Sequence, residues 1–226
     1  MKRYQDEVQE EILTVFPGET GELFYELWTN VAHLHLNWKN YRSLFGTSER
    51  IELLNWAASS FFGLLDGILR NDVVLAIARL TDPPQSAARK DNASLARLIV
   101  MLTSFIDTTV ADELRLELND LQVYCKPVRQ IRNRLLAHDD LATALQYHSD
   151  PLPGINQAFI EGVLEKIRKL LGDIEERFRG SRTSHQYVIS SDDGESLIFA
   201  LESAREHEKC HQREFNQKYG INRTNE

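Results

Sequence analysis

Apolar residues recur at steps of three and four through nearly all of this 226-residue chain, and that spacing selects helices. Leu23, Leu27, Val31, Leu34 and Trp38 make one stripe. Ile51, Leu54, Ala58, Phe61, Phe62, Leu65, Ile68, Leu69, Val73, Ile77 and Leu80 make a broader one, which reads as the central helix of a bundle. Leu95, Leu98, Ile99 and Leu102 follow, then Leu114, Leu118, Leu121, Val128, Ile131 and Leu135. Phe159, Val163, Ile167, Leu170, Leu171, Ile174 and Phe178 complete the set, and Val8, Ile12 and Val15 suggest a shorter helix at the start. With 11 glycines and 6 prolines in the whole chain, few positions can break these runs, which excludes collagen-like and many-hairpin architectures.

The breakers that exist fall between the stripes. Phe16-Pro17-Gly18, Gly46, Thr81-Asp82-Pro83-Pro84 and Asp150-Pro151-Leu152-Pro153-Gly154 mark ends and loops. Thr47 or Ser48 caps one helix and Ser94 another. A helix is expected over residues 107–136, kinked at Pro127 because proline removes one bond of the ladder. After Gly180 the pattern changes: Gln186-Tyr187-Val188-Ile189 reads as a short strand and residues 195–212 as a further helix. The expectation is an all-α, up-and-down bundle of four to six helices with a small C-terminal appendage. Its divisions are a helical segment over 1–19, a bundle over 20–180 and an appendage over 181–226, the last ten or so residues loosely ordered.

Charge and cysteine content narrow the function. A net charge of −8 excludes a protein that coats nucleic acid through its general field, so any such contact is a local patch. The uncharged run over 53–65 is too short for a span of about 20 residues, and MKRYQDEVQEE lacks the apolar core of a secretory signal. Two cysteines make no disulfide framework, so Cys125 and Cys210 are expected as reduced thiols in a cytoplasmic protein. Walker, GxGxxG, GxSxG and CxxC patterns are missing from the chain.

The stretch that carries chemistry is KPVRQIRNRLLAHDD, residues 126–140. Lys126, Arg129, Arg132 and Arg134 gather four positive charges with no acid among them, and a histidine follows. These are the parts needed to cleave RNA without a metal. Histidine moves protons at the 2′-hydroxyl or the leaving oxygen, since its pKa lies near neutrality. Arginine holds the phosphate as charge develops, and an amide such as Asn133 orients either one. On an ideal helix Arg132 and His138 would stand about 9 Å apart in rise and about 120° apart in direction. They converge only if the helix ends near Ala137 or if two copies meet across an axis. A solvated basic helix face, closed by a histidine that favours the helix dipole, stays open as the plainer reading.

Arg132-Asn133-x-x-x-x-His138 resembles the motif of the HEPN superfamily, an arginine, a polar residue and a histidine late on a long helix. LWTNVAHLHLNWKNYRSLFG (27–46), RIELLNWAASSFFGLL (50–65), DVVLAIARLTDP (72–83) and RNRLLAHDDLATAL (132–145) are similar, in that order, to its phage abortive-infection branch, over about residues 20–180. The resemblance implies an all-helical fold, a homodimer that brings two motifs together and, in active members, metal-independent RNA cleavage. His138 would be the general acid or base, Arg132 the phosphate ligand and Asn133 their orienting partner. Lys126, Arg129 and Arg134 would bind and steer the strand. No cofactor is implied, and an antitoxin or regulatory protein is a candidate partner. Many relatives bind without cutting, so a non-catalytic module for RNA or a partner protein is the alternative.

Other residues carry less. His207, Cys210 and His211 share a helix face and Glu208-x-x-His211 has ligand spacing, but no second cluster completes a site, so no metal is expected. His33 and His35 point to different faces, one exposed and one buried. Trp28, Trp38, Trp56, Phe61 and Phe62 read as core. Lys126 beside Cys125 would lower its thiol pKa, without a base to pair it.

Overall fold

The computed structural model describes residues 2–136, 153–187 and 192–219. Among them every regular element is helical: α1 (Lys2–Val15), α2 (Glu19–Phe45), α3 (Ser48–Thr81), α4 (Leu95–Leu102), α5 (Thr108–Tyr124), α6 (Lys126–Ile131), α7 (Gln157–Arg179) and α8 (Gly194–Tyr219). A π-helical turn, Arg132–Leu136, continues α6. The chain divides into two compact units, residues 1–37 with 71–188 and residues 38–70 with 189–226.

The first unit is built from the expected stripes. Leu27, Val31 and Leu34 of α2, Leu95, Leu98, Ile99 and Leu102 of α4, and Val163, Ile167, Leu171 and Ile174 of α7 are buried. Each such side chain contributes roughly 1.5–3 kcal/mol when fully withdrawn from water. Ser94 caps α4, its hydroxyl accepting from the Arg97 N–H at 3.2 Å, and Asn156 caps α7 in the same way through Phe159. Gly180 ends α7 with φ +66°, a conformation that glycine adopts without penalty. Gly162 admits Tyr124 of α5, since a Cβ there would stand 2.8 Å from the Tyr124 hydroxyl. Phe16, after α1, stacks between Phe24 and Phe178 with ring centroids 4.2 and 4.5 Å away.

A buried carboxylate fastens the chain after α7. Glu175 is inaccessible to solvent; it accepts from Arg179, from the Thr183 N–H and from the Thr183 hydroxyl, the last two at 2.7 Å. Thr183 in turn accepts from Trp28 Nε1 at 3.0 Å. His185 lies buried against Trp28 and His35, and where a strand is expected the chain forms a 3-10 turn, His185–Tyr187. A turn held by side-chain bonds to a helix needs no strand partner; Val188 and Ile189 lie outside the described residues.

The second unit packs Leu44, Leu53, Leu54, Phe62 and Ile198 into a small core. Asp193 caps α8 by accepting from the Glu195 and Ser196 N–H groups, and it pairs with Lys39 at 2.7 Å. Arg50 forms a two-pronged pair with Glu195, both bonds 2.8 Å. The expectation of a central helix fails in this unit. α3 breaks at Ala58, where φ and ψ leave helical values, and Trp56, Phe61, Leu64 and Ile68 are exposed. The broad apolar stripe thus mixes core with surface, and only Trp38 and Phe62 of the five aromatics read as core are buried, Trp28 being half-buried.

Candidate functional site

Helix α3 ends at Thr81, with Asp82-Pro83 immediately after it. The Thr81 carbonyl is one of the orphaned acceptors of that helix end, and two side chains, from α5 and α6, satisfy it. Gln122 of α5 donates through Nε2 at 3.1 Å, and Arg129 of α6 donates through Nη2. Arg129 also reaches the Gln122 carbonyl, so its half-buried guanidinium is committed to backbone oxygens at the negative end of a helix.

Pro127 acts differently from the expected kink. The helix stops at Tyr124, Cys125 caps it, and Pro127 sits in the first turn of a new helix, where a missing N–H costs nothing. From Arg132 the backbone bonds pass from i to i+5, so the angle deduced for an ideal α-helix does not apply beyond that residue. His138, Asp139 and Asp140 lie outside the described residues, as does the Leu135 side chain.

Among the described residues of the motif, Arg132 is the best-fixed side chain. Its Nη1 bridges both carboxylate oxygens of Asp82 at 2.7 and 2.9 Å, and its Nε donates to Asn133 Oδ1 at 3.0 Å. The two side chains of the ion pair are 24% and 21% exposed, so the pair is protected without being sealed. Nη2 has no partner among the described residues. Asn133 and Lys126 are exposed, and Arg134 is half-buried. The structure thus brings Arg132 and Asn133 into contact and sets Arg129 against the same helix end that carries Asp82.

Asp82 also borders a cleft of about 530 Å³ between α2 and the end of α3. Its walls include Glu26, Asn30, His33 and Asn37 from α2 and Asp72, Ala76 and Arg79 from α3. Asn37 Nδ2 donates to Asp72 at 2.7 Å. Sequence reasoning missed this cleft. The signal was present as a polar stripe, 26-30-33-37, running beside the apolar stripe 27-31-34-38 on one helix. His33 is exposed there while His35 is buried, as their spacing predicts.

Cys125 contradicts the expectation of a lowered thiol pKa. It is fully buried, and burial pushes the thiol up to about 11, outweighing the Arg129 and Lys166 charges. Cys125 and Cys210 are both free thiols. His207, Cys210 and His211 are exposed on α8, and no group of three or more metal-ligating side chains gathers among the described residues. No described helix is long and apolar enough to cross a membrane.

Compared with known proteins, the chain matches one family model, HEPN_AbiU2 (AbiU2), over residues 18–197. No curated protein and no solved structure matches it.

Proposed function

The chain belongs to the AbiU2 family, a HEPN-type abortive-infection family, and from that premise we propose that it is a metal-independent endoribonuclease acting in phage defence. Its site is the Arg132-Asn133-x-x-x-x-His138 motif, doubled across a homodimer axis. The 2′-hydroxyl attacks the adjacent phosphorus, the bond to O5′ breaks, and His138 moves a proton as general acid or base. Arg132 stabilises the phosphate as its charge grows, and Asn133 holds the guanidinium in place. Lys126, Arg129 and Arg134 provide the positive field that draws the strand in. The protein works in the cytoplasm, on RNA, with an antitoxin or regulatory protein as the partner that restrains it.

The observation that carries this reading is the fixing of Arg132, whose guanidinium is held on one edge by Asp82 and at Nε by Asn133. A preset guanidinium loses less freedom when it meets a phosphate. The same Asp82 contact favours the alternative, a module that binds RNA or a protein without cutting, because a carboxylate on that arginine competes with phosphate. Incubating the protein with mixed RNA in EDTA, with light scattering for the assembly state, separates the two. Cleavage by a dimer supports the nuclease; binding without cleavage supports the module.

A further inference from the structure

Arg79 lines the cleft between α2 and α3, is exposed, and has no hydrogen-bond or ion-pair partner among the described residues. Carboxylates stand along the same walls, each already engaged by another side chain. Asp82 gives both oxygens to Arg132. Glu26 accepts from Asn30 at 3.1 Å. Asp72 accepts from Asn37 through Oδ2 at 2.7 Å, which steadies the carboxylate and leaves Oδ1 open among the described residues. Asp72 and Arg79 are seven positions apart on a regular stretch of α3, so they share one face with about 10.5 Å of rise between them. Ala76 lies between them on that face, and Leu34 and Leu80 add to the apolar part of the lining. At about 530 Å³ the cleft has the capacity of a small-ligand site, roughly 300–1,000 Å³.

A ligand for this wall must offer acceptors to a guanidinium and donors to a carboxylate, on two edges of one flat group. Among the RNA bases guanine meets both demands. Its N7 and O6 accept side by side from an arginine fork, and its N1–H and 2-amino group donate side by side to a carboxylate. Adenine and cytosine would each turn a ring-nitrogen acceptor towards the carboxylate, and uracil donates a single N–H flanked by acceptors. We infer that the cleft is a guanine pocket, in which Arg79 donates to N7 and O6 and Asp72 accepts from N1–H and the 2-amino group. The assignment rests on the RNA reading above and deepens it, naming the base that the strand presents at this site. Ala76, Leu34 and Leu80 suit the faces of the ring. Asp82 borders the cleft and grips Arg132, so one carboxylate separates the seated base from the motif arginine.

The test measures binding of the full-length protein to labelled strands by fluorescence anisotropy. The strands carry 2′-O-methyl groups, which remove the attacking hydroxyl, and a single guanine within a run of uracils. Companion strands place adenine, 7-deazaguanine or hypoxanthine at that position, and circular dichroism checks that every variant is folded. The wild type is expected to bind the guanine strand about 5- to 150-fold more tightly than the adenine strand, the discrimination of one well-made pair of bonds. 7-Deazaguanine lacks the N7 acceptor and hypoxanthine lacks the 2-amino group, and each is expected to weaken wild-type binding about tenfold. Arg79→Ala should abolish the first penalty and keep the second; Asp72→Ala should do the reverse. Equal binding of the guanine and adenine strands by the wild type, or a 7-deazaguanine penalty that survives in folded Arg79→Ala, overturns the pocket and leaves the RNA reading standing. GMP that binds in preference to AMP, while the strands show no preference, overturns the assignment to RNA and gives the cleft to free guanine nucleotides. A wild-type protein that binds no strand overturns the RNA reading and this one together.

Discussion

Replacing Asp82 by asparagine should make the protein less stable and its grip on RNA tighter. Asp82→Asn keeps the shape of the side chain and removes its charge from Arg132. Exposed ion pairs contribute about 0.2–1 kcal/mol, while breaking a fully buried one costs about 3–5 kcal/mol. With 24% and 21% of the two side chains exposed, this pair lies between those limits. The amide oxygen still accepts one bond from Nη1, which points to a loss of about 1–2 kcal/mol. For a chain of this size that lowers Tm by about 2–8 °C. RNA affinity moves the other way. A carboxylate and a phosphate sharing one guanidinium, about 6 Å apart, repel by about 0.7 kcal/mol in water and about 2.8 kcal/mol at an effective dielectric of 20. Removing the carboxylate therefore raises affinity about 3- to 100-fold at low salt, and less at high salt. Thermal unfolding followed by circular dichroism gives the first number, and fluorescence anisotropy with labelled RNA in EDTA gives the second. A variant that loses stability and RNA affinity together refutes the reasoning, because Asp82 would then be presenting Arg132 rather than competing for it.

Three further outcomes are expected. Glu175→Ala, which leaves two donors of Thr183 without their acceptor and Arg179 with Glu11 alone, should cost about 2–4 kcal/mol, lowering Tm by roughly 4–16 °C in thermal unfolding. His35 is held down to about 3, chiefly by burial and then by the Arg168 and His185 charges, so it stays neutral in the folded protein. Its unfolded form binds a proton below about pH 6.5. Stability is thus complete above that pH and falls as pH drops toward 3; His35 alone should remove about 2 kcal/mol between pH 7 and pH 5. Urea unfolding at the two pH values should show that loss in the wild type and a smaller one in His35→Gln. Finally, a chromogenic aromatic disulfide at pH 8 should modify one thiol rapidly, the exposed Cys210, and reach Cys125 only on unfolding. Two fast thiols in the native protein, or a fast phase that survives in Cys210→Ser, would contradict the burial of Cys125.

The helices were legible because burial follows the three-and-four spacing wherever one face meets a large core. All four predicted positions of α4 and the α7 stripe from Val163 to Ile174 are buried. The spacing misleads where a helix is apolar on several sides. Along α3 it could not tell Phe62, which is buried, from Phe61, which is 61% exposed, because periodicity records which faces are apolar and not which are covered. Pro127 posed a similar ambiguity: the same missing N–H kinks a long helix or begins a new one, and the capping residue Cys125 carries no sequence signal for either. At the site, the charges and the Arg132–Asn133 contact followed from the motif. The partner of Arg132 did not, since Asp82 lies 50 positions away and reads in sequence only as a loop residue before two prolines. The commitment of Arg129 to the Thr81 carbonyl was hidden for the same reason. Cys125 shows the limit of neighbours in sequence as guides to pKa, because burial in the fold sets its direction and outweighs the charges of Arg129 and Lys166.

The most direct measurement is the rate at which purified protein cleaves RNA in EDTA, set against His138→Ala and Arg132→Ala proteins shown to be folded. The account predicts cleavage by the wild type and a fall of about 100- to 10,000-fold in His138→Ala, the usual cost of losing general acid–base help. Arg132→Ala should fall comparably and unfold at a slightly lower temperature, because it also gives up Asp82. Equal residual cleavage by the wild type and His138→Ala, both folded, would contradict the account and leave a module that binds RNA or protein without cutting.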